Sequence, residues 1–198
     1  MNIGEILSSI NRFDLLVVLF LFGMFVLGFV QGTIRRILGI VSMLFAFLFA
    51  ANLRGSLGLY LAANWNDYPD EYAVMLGFAI VFVAATIAFT VVIQAFYHRQ
   101  PLFRNATWAD ELIGAVLGVV QGMFLIGFII VILDSFFRIP TIPTFGAEFP
   151  WLRAFWDAIN TSTTADIFRT TLIPGFIRVF GLFIPSDLQA FYVTVIPR

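Results

Sequence analysis

Four long apolar stretches without a single charged residue are the feature of this sequence that most restricts its fold. They cover residues 15–34, 37–53, 72–97 and 112–133. A helix needs about 20 mostly apolar residues to cross a hydrocarbon core about 30 Å thick. The second stretch is short, but it still spans if the polar residues at its ends extend toward the headgroups. The sequence therefore predicts four transmembrane helices.

The composition agrees with a membrane protein and excludes several other classes. Of the 198 residues, 61% are hydrophobic and 12% are charged, whereas soluble domains carry roughly 25% charged residues. Disordered chains are excluded because they have low hydrophobicity. The chain has no Cys and one His, so we expect no disulfide, no metal site and no cofactor. A net charge of -1 offers no attraction for nucleic acid.

Catalysis and ion-coupled transport are also not expected. No Asp, Glu, Arg or His lies near the middle of a predicted span, where coupled transporters generally carry an ionisable residue. Ser42 is the only Ser or Asp inside a span, and no base lies near it in the sequence. Phosphate-binding glycine loops and His-Glu-x-x-His helices are absent from the sequence. We therefore predict that the protein is not an enzyme and has no catalytic residues.

The spacing of the spans predicts an all-α fold. Short connections join four spans, which indicates two helical hairpins packed as an integral membrane bundle over residues 1–134. Residues 135–198 are expected to form an amphipathic tail of short helices, packed on the membrane or on the bundle. Trp151, Phe155 and Trp156 fall on one helical face of this tail, and Arg153 and Asp157 lie opposite. Such a helix is suited to lying in the membrane interface.

Small residues predict where the helices touch. Gly114, Gly118 and Gly122 recur every fourth residue, and Gly28 and Gly32 repeat the spacing at the end of the first span. Glycine lets helix backbones approach closely in a membrane. Residues 26–32 also match residues 116–122 at six of seven positions. We expect glycine-mediated packing and a contact between the first and fourth spans, although the local repeat is also compatible with chance.

Polar residues inside the spans leave two interpretations open. These residues are Gln31, Thr86, Thr90, Gln94 and Gln121. The simpler interpretation is that the threonine hydroxyls bond back to their own helix. The functional one is a polar seam that lines a solute path or a partner interface.

The distribution of arginine predicts the topology. Arg35, Arg36, Arg99 and Arg104 lie in the connections after the first and third spans, whereas the connection after the second holds only Arg54. Positive residues concentrate on the cytoplasmic side, so both termini are predicted to lie outside. Counting the arginines of the terminal segments as well equalises the two sides. At the helix starts we expect Thr33 to cap the second span and a capping box at residues 107–110.

Several short motifs resemble a known family. Residues 14–16 (Asp-Leu-Leu), residues 28–32 (Gly-Phe-Val-Gln-Gly) with Arg35, and residues 109–122 are similar to the CvpA family, the colicin V production proteins. The chain departs from the family pattern at Gln31, Glu111 and Gln121, where arginine is common. The resemblance implies a four-span inner-membrane protein linked to toxin production or export and to envelope homeostasis. Some relatives carry an outer protease domain after the spans, which agrees with termini outside.

Two functional hypotheses remain. In the first, the protein is a non-enzymatic accessory factor of the CvpA type, with the lipid bilayer and either a membrane-protein partner or a second copy of itself as partners. In the second, it is a small channel or facilitator whose copies enclose a path along Thr86, Thr90, Gln94 and Gln121. A flux assay discriminates between the two hypotheses.

Overall fold

Four long helices form the body of the molecule. A computed structural model describes residues 11–65, 68–96, 107–139 and 148–193. The long helices are α1 (Arg12–Gln31), α2 (Thr33–Asn64), α3 (Asp70–Phe96) and α4 (Thr107–Phe137). All four are long and apolar enough to cross a membrane. Within the described ranges the chain is helical and contains no strand, which confirms the predicted all-α membrane bundle.

A polar residue begins α1 and a glycine ends it. Asn11 caps the helix by accepting a hydrogen bond from the Phe13 N–H at 2.8 Å. Gly32 ends it, with a φ of 77°, a backbone conformation that glycine adopts without steric cost. The same glycine occupies the N-cap position of α2. A single residue therefore joins the first two helices.

The cap of α2 differs from the prediction. Thr33 is the first helical residue and does not cap the helix. Its backbone N–H instead donates to Asp110 Oδ1 at 3.4 Å, and its hydroxyl donates to the Asp110 carbonyl at 2.9 Å. The predicted capping box placed the Asp110 carboxylate at the start of α4. Asp110 does lie in the first turn of α4. The chain turn at Gly32 brings the start of α2 against its side chain, so Thr33 bonds Asp110 instead of capping α2.

The helices pair in an order that differs from their order in the sequence. α1 packs most extensively on α4 and α2 packs most extensively on α3, whereas α1 and α2 share few contacts. α4 also contacts α2 and α3, so it lies at the centre of the bundle. α1 runs antiparallel to α4, because Gly28 lies against Gly114 while Leu21 lies against Gly122. α1 and α3 therefore end at the membrane face where α2 and α4 begin.

The interior of the bundle is filled with aromatic rings. Phe47 of α2 stacks on Phe128 of α4, with ring centroids 3.9 Å apart and an angle of 10° between the planes. Phe78 and Phe82 of α3 contact the Phe47 ring, and Phe176 from the tail packs edge-on against both stacked rings. Large aromatic surfaces contribute strongly to cores, and edge-to-face contacts add to this. This cluster lies where α2, α3 and α4 meet.

α2 extends well beyond the second apolar stretch. Its 32 residues correspond to a length of about 48 Å at 1.5 Å per residue, longer than a hydrocarbon core. Arg54, which was assigned to a connection, therefore lies inside the helix. Its guanidinium is buried and pairs with Asp187 of the tail, and Asn52 donates to the Phe183 carbonyl at 2.9 Å.

The tail folds into a chain of short helical elements. Pro150 begins α5 (Pro150–Asn160), a position that suits its fixed φ. Ser162 caps the next helix by accepting from the Ala165 N–H at 3.0 Å. The elements after α5 are α6 (Thr163–Ile167), a π-helical turn (Phe168–Leu172), α7 (Ile173–Phe180), a 3-10 turn (Gly181–Phe183) and α8 (Ser186–Val193).

Candidate functional site: a polar pocket beside α2

A polar pocket of about 210 Å³ opens where α1 and α3 end and α2 begins. It is lined by Gln31, Arg35, Arg36, Gly39, Ser42, Thr90, Ile93 and Gln121. Three of the predicted intramembrane polar residues, Gln31, Thr90 and Gln121, are brought together there. The structure does not bring Thr86 to this pocket, and its hydroxyl donates to the Phe82 carbonyl of its own helix at 2.7 Å. The side chain of Gln94 lies outside the described residues.

Arg36 is the central group of this pocket. Its side chain is buried, with 5% of the residue exposed, and Nη1 donates to Gln121 Oε1 at 2.7 Å. Nε and Nη2 are buried as well, and neither has a hydrogen-bond partner. Among the described side chains these are the only buried nitrogen or oxygen atoms without one. Such groups are rare in folded proteins and call for a physical reason.

The pocket carries positive charge. Two guanidinium groups, from Arg35 and Arg36, line it, and no carboxylate of the described residues does. Within the described part of the chain, neither arginine forms an ion pair. Both residues lie in the first turn of α2. Successive helical residues point about 100° apart, so Arg35 is exposed while Arg36 turns toward α4.

Glycine at position 39 makes the contact between α2 and α4 possible. A methyl group at Gly39 would lie 2.9 Å from Gln121 Nε2, so a larger residue would displace the Gln121 amide. Ser42, one turn further along α2, donates its hydroxyl to the Leu38 carbonyl at 2.7 Å. Its oxygen remains able to accept a hydrogen bond. The pocket wall thus combines charged donors with hydroxyl and amide groups.

The glycine stripes lie at the contact between α1 and α4. A methyl group at Gly28 would approach the Gly114 carbonyl oxygen to 2.2 Å, and one at Gly118 would approach the Met24 carbonyl oxygen to 2.2 Å. Residues 26–32 and 116–122 repeat with an offset of 90 positions, so Gly28 corresponds to Gly118 and Met24 corresponds to Gly114. The two contacts are therefore equivalent in the two halves of the repeat. Gly122 faces side chains of α1 instead, with Met24 Cγ 3.1 Å from a methyl built there.

A second polar centre lies at the opposite end of α4. Asp134 is fully buried and accepts hydrogen bonds from three tail residues. Arg169 Nη2 donates to Oδ1 at 2.6 Å, Tyr192 OH donates to Oδ2 at 3.0 Å, and Trp156 Nε1 donates to Oδ1 at 3.2 Å. Arg138 lies 3.7 Å from Oδ2. Burial raises the pKa of the Tyr192 phenol well above its ordinary value, and the Asp134 charge adds to this shift.

The tail is also attached to the start of α1. Asp14 accepts hydrogen bonds from the Ser162 hydroxyl and from the Thr164 N–H, the latter at 3.0 Å. Asn11 Nδ2 donates to the Ala158 carbonyl at 3.1 Å. Together with Asp134, these contacts hold α5 and α6 against one end of the bundle.

The three aromatic residues predicted for the interface take different positions. Trp151 is 67% exposed. Trp156 stacks on Phe137 of α4, with ring centroids 5.4 Å apart. Phe155 meets Phe13 of α1 edge-on at 6.0 Å. Within α5, therefore, Trp151 is the member of this set that projects away from the bundle.

Sequence reasoning missed the roles of Arg36, Asp110 and Asp134. The sequence marks Arg36 and Asp134 as charged boundaries of apolar stretches, and Asp110 as part of a capping box. A boundary charge looks the same in sequence whether it faces water or a neighbouring helix. The sequence does not single out Arg169 as the partner of Asp134, because the tail also carries Arg153 and Arg178.

Comparison with known families gives one match. A family model described as colicin V production protein matches residues 13–172. This range covers the four long helices, apart from the first residue of α1, and the tail as far as the π-helical turn. No curated protein and no solved structure matches the chain.

Proposed function

This chain belongs to the colicin V production protein family, and on that premise we propose that it is a non-enzymatic membrane accessory factor in the production or export of colicin V-type toxins and in envelope homeostasis. The observation that supports the proposal is the extent of the match, which covers the four described helices that are long and apolar enough to cross a membrane rather than one motif. The family membership links a four-span membrane protein to toxin production.

The filled interior favours an accessory factor over a channel formed by one copy. Phe47, Phe78, Phe82 and Phe128 are all at most 4% exposed and occupy the space between α2, α3 and α4. A continuous water path along this axis would require these rings to separate. Of the proposed channel residues, Thr90 and Gln121 line a pocket that stops short of this cluster. A channel would therefore have to form between copies.

We further propose a location in the bacterial cytoplasmic membrane with both termini outside. In that orientation the polar pocket opens toward the cytoplasm, while Asp134 and the tail lie on the outer side. The surface of α1 turned away from α4 is apolar and exposed, for example at Val18, Leu19 and Phe22. This surface is suited to lipid, to a membrane-protein partner or to a second copy of the chain.

The test of the accessory role is genetic complementation. A colicin V-producing bacterium that lacks its own family member would receive this chain, an empty plasmid or the Gly23→Leu variant as a tolerated control, since Gly23 has open space around it. We expect wild type and control to restore secreted toxin and resistance to detergent. Failure of wild type to raise toxin secretion above the level with the empty plasmid would contradict the proposal.

A flux assay tests the channel alternative separately. Purified protein in liposomes would be examined for release of small ions and neutral solutes. An accessory factor should leave the liposomes as tight as protein-free ones. Solute release that depends on protein concentration, and that Thr90→Val reduces, would favour the channel.

A further inference from the structure

We propose that the polar pocket binds a phosphate group through the free edge of the Arg36 guanidinium. The proposal concerns a ligand site and does not depend on the role in toxin production. It starts from the two buried nitrogen atoms, Nε and Nη2, that have no partner in the described part of the protein. A buried charge without a counter-charge is strongly unfavourable. A bound anion would supply both the counter-charge and the missing hydrogen bonds.

The geometry of the free edge indicates an oxyanion. Nε and Nη2 of arginine point the same way and bind two oxygen atoms side by side. In this protein, Arg153 uses that edge to bind both oxygens of Glu148 at 2.7 and 2.6 Å. Arg169 uses the same edge to bind Asp134 at 2.8 and 2.6 Å. In Arg36, Nη1 donates to Gln121, whereas the edge formed by Nε and Nη2 remains available to a ligand.

The remaining pocket wall favours phosphate over carboxylate. A carboxylate has two oxygens and one charge, which the Arg36 edge alone would satisfy. The pocket adds the guanidinium of Arg35, the hydroxyl of Thr90 and the amide of Gln31. These residues line the same pocket as Arg36, so their side chains offer donors for further oxygens and a second positive charge. A phosphate group has more oxygens than a carboxylate and up to two negative charges, so it uses more of these donors and both positive charges.

The phosphate has two sources at this position. Arg36 lies three residues after the start of α2, which is about 5 Å along the helix axis. This depth places it near the level of lipid headgroups and also within reach of the aqueous phase. A phospholipid headgroup and free inorganic phosphate present the same chemistry to the guanidinium, so the experiment needs one arm for each.

The first arm measures inorganic phosphate. The full chain in maltoside micelles is heated, and unfolding is followed by tryptophan fluorescence with increasing phosphate or with chloride at equal ionic strength. The lipid arm uses phosphatidic acid in the same micelles, with diacylglycerol of the same chains as the phosphate-free control. We expect wild type to be stabilised by phosphate, by phosphatidic acid or by both, and not by the controls. The arm that responds identifies the source.

Matched variants connect the effect to the pocket. Arg36→Gln should weaken binding on the order of ten- to a hundredfold, as expected for lost hydrogen bonds to a charged group. Arg54→Gln removes the same charge from the same helix outside the pocket and should bind like wild type. Thr90→Val keeps the shape of its side chain and should weaken binding by about two- to tenfold. Thr90→Val keeps the proposal testable if Arg36→Gln does not fold.

Two results would overturn the proposal. One is that neither inorganic phosphate nor phosphatidic acid stabilises the wild type beyond its control. The other is that Thr90→Val, together with Arg36→Gln where it folds, binds as tightly as wild type. Neither result depends on toxin secretion, so failure here is distinguishable from failure of the accessory role.

Discussion

Asp134 of α4 binds Arg169 of the tail through both carboxylate oxygens, with Nε 2.8 Å from Oδ2 and Nη2 2.6 Å from Oδ1. The two side chains are 1% and 11% exposed, so the pair is largely removed from solvent. Tyr192 and Trp156 donate to the same carboxylate. One buried acid therefore joins α4 to α5, to the π-helical turn and to α8.

Replacing this acid should detach the tail. Asp134→Asn leaves the Arg169 guanidinium buried without a counter-charge, and breaking a buried pair in this way costs about 3–5 kcal/mol. We expect a lower unfolding temperature in detergent and faster proteolysis within residues 148–193. Asp157→Asn is the control, because Asp157 is exposed in the same tail, and its effect should stay within about 0.5 kcal/mol. Equal stability of the two variants would show that the pair contributes little.

The contact between α1 and α4 should be sensitive to a single methyl group. Gly118→Ala would place Cβ 2.2 Å from the Met24 carbonyl oxygen, so the helix backbones would have to separate. Overpacking of this kind costs about 1–3 kcal/mol. Gly23→Ala is the matched control, since nothing lies within 4 Å of a methyl group there. Thermal unfolding of both variants gives the comparison, and a Gly118→Ala variant as stable as Gly23→Ala would contradict the close approach.

The turn between α1 and α2 should also depend on glycine, for two separable reasons. Gly32→Ala forces an alanine into a φ of 77° and places Cβ 2.5 Å from Asp110 Oδ2. Unfavourable backbone conformations of this type cost about 1–3 kcal/mol. We expect less protein in the membrane than for Gly55→Ala, where the methyl meets open space.

A double variant separates the backbone effect from the clash. Combining Gly32→Ala with Asp110→Ala removes the carboxylate that the new methyl would touch, while the backbone conformation stays unfavourable. The double variant should therefore lose less stability than the sum of the two single variants. Strict additivity would show that the methyl group does not meet Asp110.

The exposed tryptophan of α5 gives a test of the interfacial tail. We expect Trp151 fluorescence to be quenched by brominated lipids, because 67% of this residue is exposed on a helix predicted to lie in the interface. The measurement uses a variant with Trp65, Trp108 and Trp156 replaced by Phe. A second variant that keeps only Trp156 is the control and should be quenched less. Absence of quenching for Trp151 would place α5 in water.

The absence of cysteine from the sequence makes the topology directly measurable. Single cysteines at Asp166 and at Trp108 occupy exposed positions at opposite ends of the bundle. With termini outside, an impermeant thiol reagent applied to intact cells that lack an outer membrane should label Asp166→Cys and leave Trp108→Cys unlabelled. The reverse pattern would invert the assignment.

The four apolar stretches alone were enough to determine that this chain forms four membrane-spanning helices, because a bilayer requires about 20 apolar residues per crossing. The four-residue spacing of glycines likewise indicated a close helix contact, since glycine acts through its own backbone whatever the partner. These glycines are Gly28 and Gly32 in the first span, and Gly114, Gly118 and Gly122 in the fourth. Motif resemblance pointed to the family that the comparison then identified. These features depend on residues that are near one another in the sequence.

Only the tertiary structure decided the partners of the charged residues. Arg36 lies 85 positions from Gln121, Thr33 lies 77 positions from Asp110, and Asp134 lies 58 positions from Tyr192. In sequence, Arg36 and Asp134 mark ends of apolar runs, and Asp110 belongs to a capping box. Whether each charge faces water, lipid or another helix depends on how the helices rotate and cross, which is set by packing of the whole bundle. The polar pocket and the anchored tail are products of that packing.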